Sequence, residues 1–187
     1  HVTSLGIVNQ RMVTNAIEPR SAIGDYNDAR DYYTLYTSTQ NPHVIRLLMC
    51  AFVLGLPEHK VRVIGPDVGG GFGSKIPHYI EEALMVWVSK QINRPVKWTA
   101  ERTEGFTCDA QGRDHKTKGQ MGFDSDGKMV ALKVQTKANL GAYLSTLSTL
   151  IPTYLYGTLM QGLYSTPAVH VTVDAGVTNT APVDALR

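Results

Sequence analysis

The chain has 187 residues, 43% of them hydrophobic, and sets 18 Lys and Arg against 16 Asp and Glu for a net charge of +2. That length supports a sizeable core near the size of one domain, and the balanced charge, without a long basic block, excludes the electrostatic footprint of a nucleic-acid or membrane-surface binder. Cys50 and Cys108 lie far apart with no Cys-x-x-Cys partner, which excludes a structural zinc site and a disulfide-stapled secreted fold and makes a reducing cytoplasm the expected compartment. The apolar runs from Leu47 to Leu56 and from Leu150 to Leu163 are too short or too interrupted to span a bilayer, so a soluble chain is expected. It opens at His1-Val2-Thr3 without a methionine and stops at Asp184-Ala185-Leu186-Arg187 without a polar tail, as expected of a piece of a longer polypeptide.

Taken in order, Tyr33 to Thr37 reads as a strand and Pro42 to Leu54 as a helix capped by Asn41. Lys60 to Ile64 alternates like a strand, and Pro77 to Asn93 has a broad apolar face at helical spacing, with Pro77 suited to a first turn. Val96 to Ala100 is a further strand. Lys116 to Phe123 and Met129 to Ala138 form an antiparallel hairpin around Asp124-Ser125-Asp126-Gly127, a turn composition. Ser145 to Tyr164 is ambiguous, because Pro152, Gly157 and Gly162 weaken it as a helix. Val169 to Val173 and Val177 to Thr180 read as closing strands. Parallel-compatible and hairpin contexts together predict an α+β fold, a mixed sheet with helices.

The most informative segment is Gly65 to Lys75, Gly-Pro-Asp-Val-Gly-Gly-Gly-Phe-Gly-Ser-Lys, between the strand ending at Ile64 and the helix predicted from Pro77. Backbone without side chains lets a ligand approach closely, and free N–H groups beside a helix start favour an anionic or strongly polar group. There is no Gly-x-Gly-x-x-Gly, and Ser74-Lys75 reverses the order that ends a phosphate-binding P-loop, so neither nucleotide signature fits. A tight turn that binds nothing is the competing reading.

Other polar residues carry less. Gln40 sits at an exposed strand end, where its amide can face a ligand or serve only the helix start. Glu18-Pro19-Arg20 reads as a structural ion pair, Glu81-Glu82 as solvated helix charges, and the two cysteines as buried small apolar residues. His43, His59, His78, His115 and His170 are scattered, with no pair at i, i+4 and a third ligand, so no protein-ligated metal is expected.

Ser38-Thr39-Gln40-Asn41-Pro42-His43, followed by Pro66 to Lys75, resembles the large, molybdenum-binding subunit of the molybdenum hydroxylases, the family of xanthine dehydrogenase and aldehyde oxidase. With Asn15-Ala16-Ile17-Glu18-Pro19-Arg20 before it, and Arg94-Pro95-Val96-Lys97-Trp98, Gly112-Arg113-Asp114-His115 and Asn179-Thr180-Ala181-Pro182-Val183-Asp184 after it, the chain is similar along its whole length to the aerobic carbon monoxide dehydrogenase large chain and its homologues. The resemblance implies that residues 1–187 are the first part of a molybdopterin-binding domain, truncated at the C-terminus. It assigns Gly70, Gly71, Phe72 and Gly73 to cofactor binding and makes Gln40 the catalytic residue, bonded to an oxo ligand of the metal. It implies a molybdenum-molybdopterin cofactor in its cytosine dinucleotide form, held through pterin sulfurs rather than side chains. The reaction it implies is oxidation of carbon monoxide, an aldehyde or a heterocycle with water as the oxygen source, with electrons passing to iron-sulfur and flavin subunits.

Two departures qualify this resemblance. Ile76 stands where purine-oxidising relatives carry a substrate-binding glutamate, which disfavours a purine; with Arg187 it is assigned to the substrate pocket. The family's general-base glutamate has no counterpart here, so the chain alone is expected to hold no cofactor and to be inactive. An isolated non-catalytic domain with a structural or protein-interaction role is the alternative reading.

Overall fold

The computed structural model describes residues 1–186. In chain order the elements are β1 (Val2–Met12), β2 (Ser21–Asn27), β3 (Tyr32–Thr37), α1 (Pro42–Leu48), β4 (Val61–Ile64), α2 (Ile80–Ile92), β5 (Val96–Thr99), α3 (Arg102–Cys108), β6 (Gly112–Phe123), β7 (Met129–Asn139), α4 (Tyr156–Thr158) and β8 (Ala168–Gly176). The chain divides into two compact units, one of residues 14–109 and one of residues 1–13 with 110–186. Each holds a mixed four-stranded sheet, so the expected α+β class of mixed sheet with helices is what forms.

In the unit of residues 14–109 the strand order is β4-β3-β2-β5, with β3 and β4 parallel and the other pairs antiparallel. The inward face of β3 carries Tyr33, Leu35 and Thr37 at every second position, as half-buried strand periodicity requires. Leu35, Ile45, Met49, Val61 and Val86 are fully buried in one cluster between this sheet and the helices. Gly24 on β2 admits α2 at close range, because a Cβ there would collide with the backbone of Met85 and Val86. Helix α1 continues as a wide π-type turn over Met49–Leu54, so the helix read from Pro42 to Leu54 forms throughout and stops at Gly55, whose φ is 62°.

The other unit has the order β1-β6-β7-β8, with β7 and β8 parallel. The expected β6–β7 hairpin forms. Asp124 Oδ1 accepts from the N–H groups of Asp126 and Lys128, and Gly127 supplies the left-handed residue at φ 79°. Leu132, Val134, Thr136 and Ala138 are the buried face of β7.

Several expectations need correction. Helix α2 starts at Ile80, not Pro77: the Tyr79 N–H donates to the Glu82 carboxylate at 3.0 Å and the Glu82 N–H to Tyr79 O at 3.2 Å, which fixes the first turn there. The segment from Val177 to Thr180 is no strand, because the Thr178 hydroxyl bonds the Asn139 side chain and its N–H bonds Gly141 O. Strands β1 and β2 and helix α3 were not anticipated. Apart from half-buried Arg11, β1 is exposed along its length and is held by its ladder to β6, so its sequence lacks a core-facing alternation. The ambiguous segment becomes a π-type turn over Leu150–Leu155 that runs into α4.

Candidate functional site

Within the unit of residues 14–109, three irregular segments meet: residues 15–20, residues 38–41 after β3, and the glycine-rich loop after β4. The loop departs from ordinary backbone repeatedly, since Gly70 has φ 96°, Phe72 φ 50° and Gly73 φ 100°. Left-handed backbone at a phenylalanine is disfavoured and persists only where surroundings enforce it. Here the turn is locked on its C-terminal side. Gly71 O accepts from both the N–H and the hydroxyl of Ser74 at 3.0 Å, and Ser74 O accepts from the Tyr79 hydroxyl at 2.6 Å.

Gln40 lies inside this loop. Its Oε1 accepts from the Gly73 N–H at 2.9 Å, and its side chain runs so close to Gly71 that a Cβ there would stand 2.7 Å from Gln40 Cγ. Only the amide oxygen can accept from an N–H, so this bond fixes the amide orientation and leaves Nε2, a donor, without a partner among the described residues. The N–H groups of Gly71 and Phe72 also make no hydrogen bond among the described residues. Two of the four amides expected to be free are not: Gly70 N–H bonds Val68 O at 2.9 Å, and Gly73 N–H bonds Gln40. The helix dipole expected to assist is not at the loop, because the first turn of α2 begins only at Ile80. What remains is a cluster of uncommitted donors, the N–H groups of Gly71 and Phe72 with Gln40 Nε2, that suits an acceptor-rich ligand. The Phe72 ring lies over Gly70 and is 54% exposed. Ile76 follows the loop, half-buried, with its N–H on Gly73 O at 3.2 Å. Arg187 lies outside the described residues.

The carboxylates and cations nearby differ from their sequence reading. Glu18 and Arg20 do not pair with each other. Glu18 Oε2 accepts from Lys75 Nζ at 2.7 Å and from the Gly69 N–H at 2.9 Å. Burial acts to raise the Glu18 carboxyl, but these two bonds outweigh it and hold the group below its ordinary value. Arg20 is buried, bonded to Asp109 at 2.6 Å and Glu81 at 3.1 Å, with its guanidinium 3.7 Å above the Tyr79 ring. Glu82 is buried beside Thr37 rather than solvated, because α2 turns it onto the sheet. Cys50 is buried as expected, whereas Cys108 is exposed at the end of α3. The buried contribution of Lys75 was missed. Its place at the end of the glycine run was visible, but its carboxylate partner lies far away in sequence. No group of three or more metal-ligating side chains occurs among the described residues.

Comparison with known proteins gives these features a context. The family model described as molybdopterin cofactor-binding domain matches residues 1–187. The carbon monoxide dehydrogenase large chain of Hydrogenophaga pseudoflava is 33% identical over 89% of this chain and 20% of its own length. The nicotine 6-hydroxylase large subunit of Paenarthrobacter nicotinovorans is 30% identical over 100% of this chain and 23% of its own. Quinoline 2-oxidoreductase from Pseudomonas putida 86 superposes with a TM-score of 0.90 at 31% identity, over 100% of this chain and 24% of that one. The chain thus spans about a fifth to a quarter of the length of the relatives it matches.

Proposed function

This chain belongs to the molybdopterin cofactor-binding domain family, and from that membership we propose that it forms one wall of the cofactor site in the large subunit of a molybdenum hydroxylase. The observation that carries the reading is the donor cluster at the glycine loop, where the Gly71 and Phe72 N–H groups and Gln40 Nε2 are uncommitted. A cofactor rich in oxo, phosphate and pterin acceptors fits such a cluster, and the glycines leave the room that a Cβ would fill.

When bound, the cofactor supplies two-electron redox chemistry for hydroxylating a carbon with water as the oxygen source. The chain's own part is positioning. Gly73 holds Gln40 by its oxygen so that Nε2 is presented as a donor, and the Gly71 and Phe72 amides orient an acceptor group without a rotamer cost. Gly70 and Gly73 allow the backbone turn, and the Phe72 ring packs over Gly70. Ile76 offers no hydrogen bond to a polar substrate edge, so we assign carbon monoxide, an aldehyde or an apolar heterocycle as substrate rather than a purine.

The cytosine dinucleotide form of the cofactor, a cytoplasmic location, and iron-sulfur and flavin subunits as electron acceptors belong to the same proposal, with residues 1–187 as the first part of the cofactor-binding domain. The partner subunits in this proposal are supported by relatives named as large chains or large subunits. No helix among the described residues is long and apolar enough to cross a membrane. The reading as a stand-alone non-catalytic domain finds no support in these relatives. Replacing Gln40 by Ala in the complete enzyme tests the proposal: turnover falls about 100-fold, the scale of losing one preorganised donor, with molybdenum content retained. Wild-type turnover in that variant would remove Gln40 from the site.

A further inference from the structure

Lys75 closes the glycine loop, yet its side chain is 1% exposed, and among the described residues its ammonium has one ion-pair partner, Glu18. A buried ammonium needs such compensation, and removing its partner leaves a charge in a poorly solvating interior. The pair is tied at both ends. Glu18 Oε2 also receives the Gly69 N–H, at the start of the triple glycine, and a Cβ on Gly69 would stand 2.6 Å from Glu18 Cβ. At the other end, the Lys75 carbonyl accepts the Gln40 N–H at 3.0 Å and the Thr39 hydroxyl at 3.2 Å, and Thr39 Oγ1 in turn accepts the Asn41 N–H at 3.0 Å. One residue therefore joins residues 15–18, residues 39–41 and both ends of the loop.

We propose that Glu18 and Lys75 are positioning residues that lock the glycine loop and Gln40 into one register, so that the Gly71 and Phe72 amides and Gln40 Nε2 converge. Neither acts on the substrate. Glu18 is committed to the ammonium and the Gly69 amide, and Lys75 directs its ammonium into the protein and its carbonyl towards the Gln40 backbone. This inference rests on the proposed role of the loop and Gln40, but the pinning itself is a property of the chain that is measurable without turnover.

The test uses the complete enzyme with Lys75→Met and, separately, Glu18→Gln, which keeps an acceptor for Gly69 while removing the charge. Hydrogen–deuterium exchange in peptides covering residues 39–41 and 69–75 rises about tenfold in both variants, while exchange in β2 and β3 is unchanged, because only the local lock is released. In the same variants kcat falls by about tenfold with KM unchanged, the split expected when reacting groups are misaligned rather than substrate binding lost. Should Lys75→Met fail to fold, Glu18→Gln decides alone. Unchanged exchange in the loop peptides overturns the proposal. Faster exchange accompanied by wild-type turnover in Gln40→Ala upholds the lock and removes Gln40 from the proposed site, which separates the two failures.

Discussion

Gln40 is an exposed residue whose side-chain oxygen accepts from the buried Gly73 amide. A surface glutamine at a strand end is ordinarily worth little to stability, but this one satisfies a donor that water cannot easily reach. Gln40→Ala will therefore cost about 1 kcal/mol of folding stability, measurable by denaturant titration, in addition to its effect on turnover. Gly71→Ala is the complementary change. The new Cβ occupies the space of the Gln40 side chain, so the amide must leave the loop. The complete enzyme carrying Gly71→Ala is expected to lose turnover as Gln40→Ala does, with bound molybdenum retained by elemental analysis. Full cofactor occupancy with normal turnover would show that Gln40 has no part in the site.

At the scale of an element, α2 carries a titratable group that its helical pattern conceals. Glu82 Oε1 lies 2.8 Å from Thr37 Oγ1, which is also 3.2 Å from Ser21 O. The Thr37 hydroxyl has a single proton for two acceptors. Thr37 donates to an ionised Glu82 and leaves Ser21 O without that proton, whereas a protonated Glu82 donates to Thr37, which then donates to Ser21 O. Burial pushes the Glu82 carboxyl up to about 7, against the lowering effect of the Tyr79 N–H, Thr37 and Arg20. With the folded value above the unfolded one, the folded protein binds the extra proton between the ordinary carboxyl range and about pH 7. This contribution to stability is present below that window and is lost as pH rises through it. Glu82→Gln, which keeps an acceptor for Tyr79 and a donor for Thr37, will flatten that decline and raise the melting temperature above pH 7. A variant with an unchanged pH profile would mean that Glu82 is not the group responsible. In the same packing layer, Gly24→Ala drives a methyl into the α2 backbone and will destabilise the fold far more than an ordinary surface substitution.

For the whole molecule, the donor cluster is one wall, whereas a bound small molecule has roughly 70 to 90% of its surface buried. Residues 1–187 prepared alone are therefore expected to hold no stoichiometric molybdenum and to hydroxylate nothing. Elemental analysis at one metal per chain would overturn this. Leu159 at 74% exposed and Leu163 at 101%, with the exposed Tyr154 and Tyr164 close in sequence, present apolar surface of the kind that promotes association. Sedimentation of the isolated chain will then show concentration-dependent self-association, reduced by Leu159→Glu with Leu163→Glu.

Sequence alone determined the features whose causes are local. The β6–β7 hairpin follows from Asp124 and Gly127, β4 from period-two alternation, and α1 from the Asn41-Pro42 start signal, although the Asn41 side chain makes no capping bond. The glycine run announced its own importance because only backbone without side chains tolerates that path. Tertiary structure decided what depends on distant partners. Glu18 pairs with Lys75 rather than Arg20, Glu82 is buried, α2 begins three residues late, and β1 forms against β6 despite an exposed, unpatterned sequence. Charge pairing, burial and strand pairing are set by which segments meet in space, and one-dimensional spacing carries no term for that meeting.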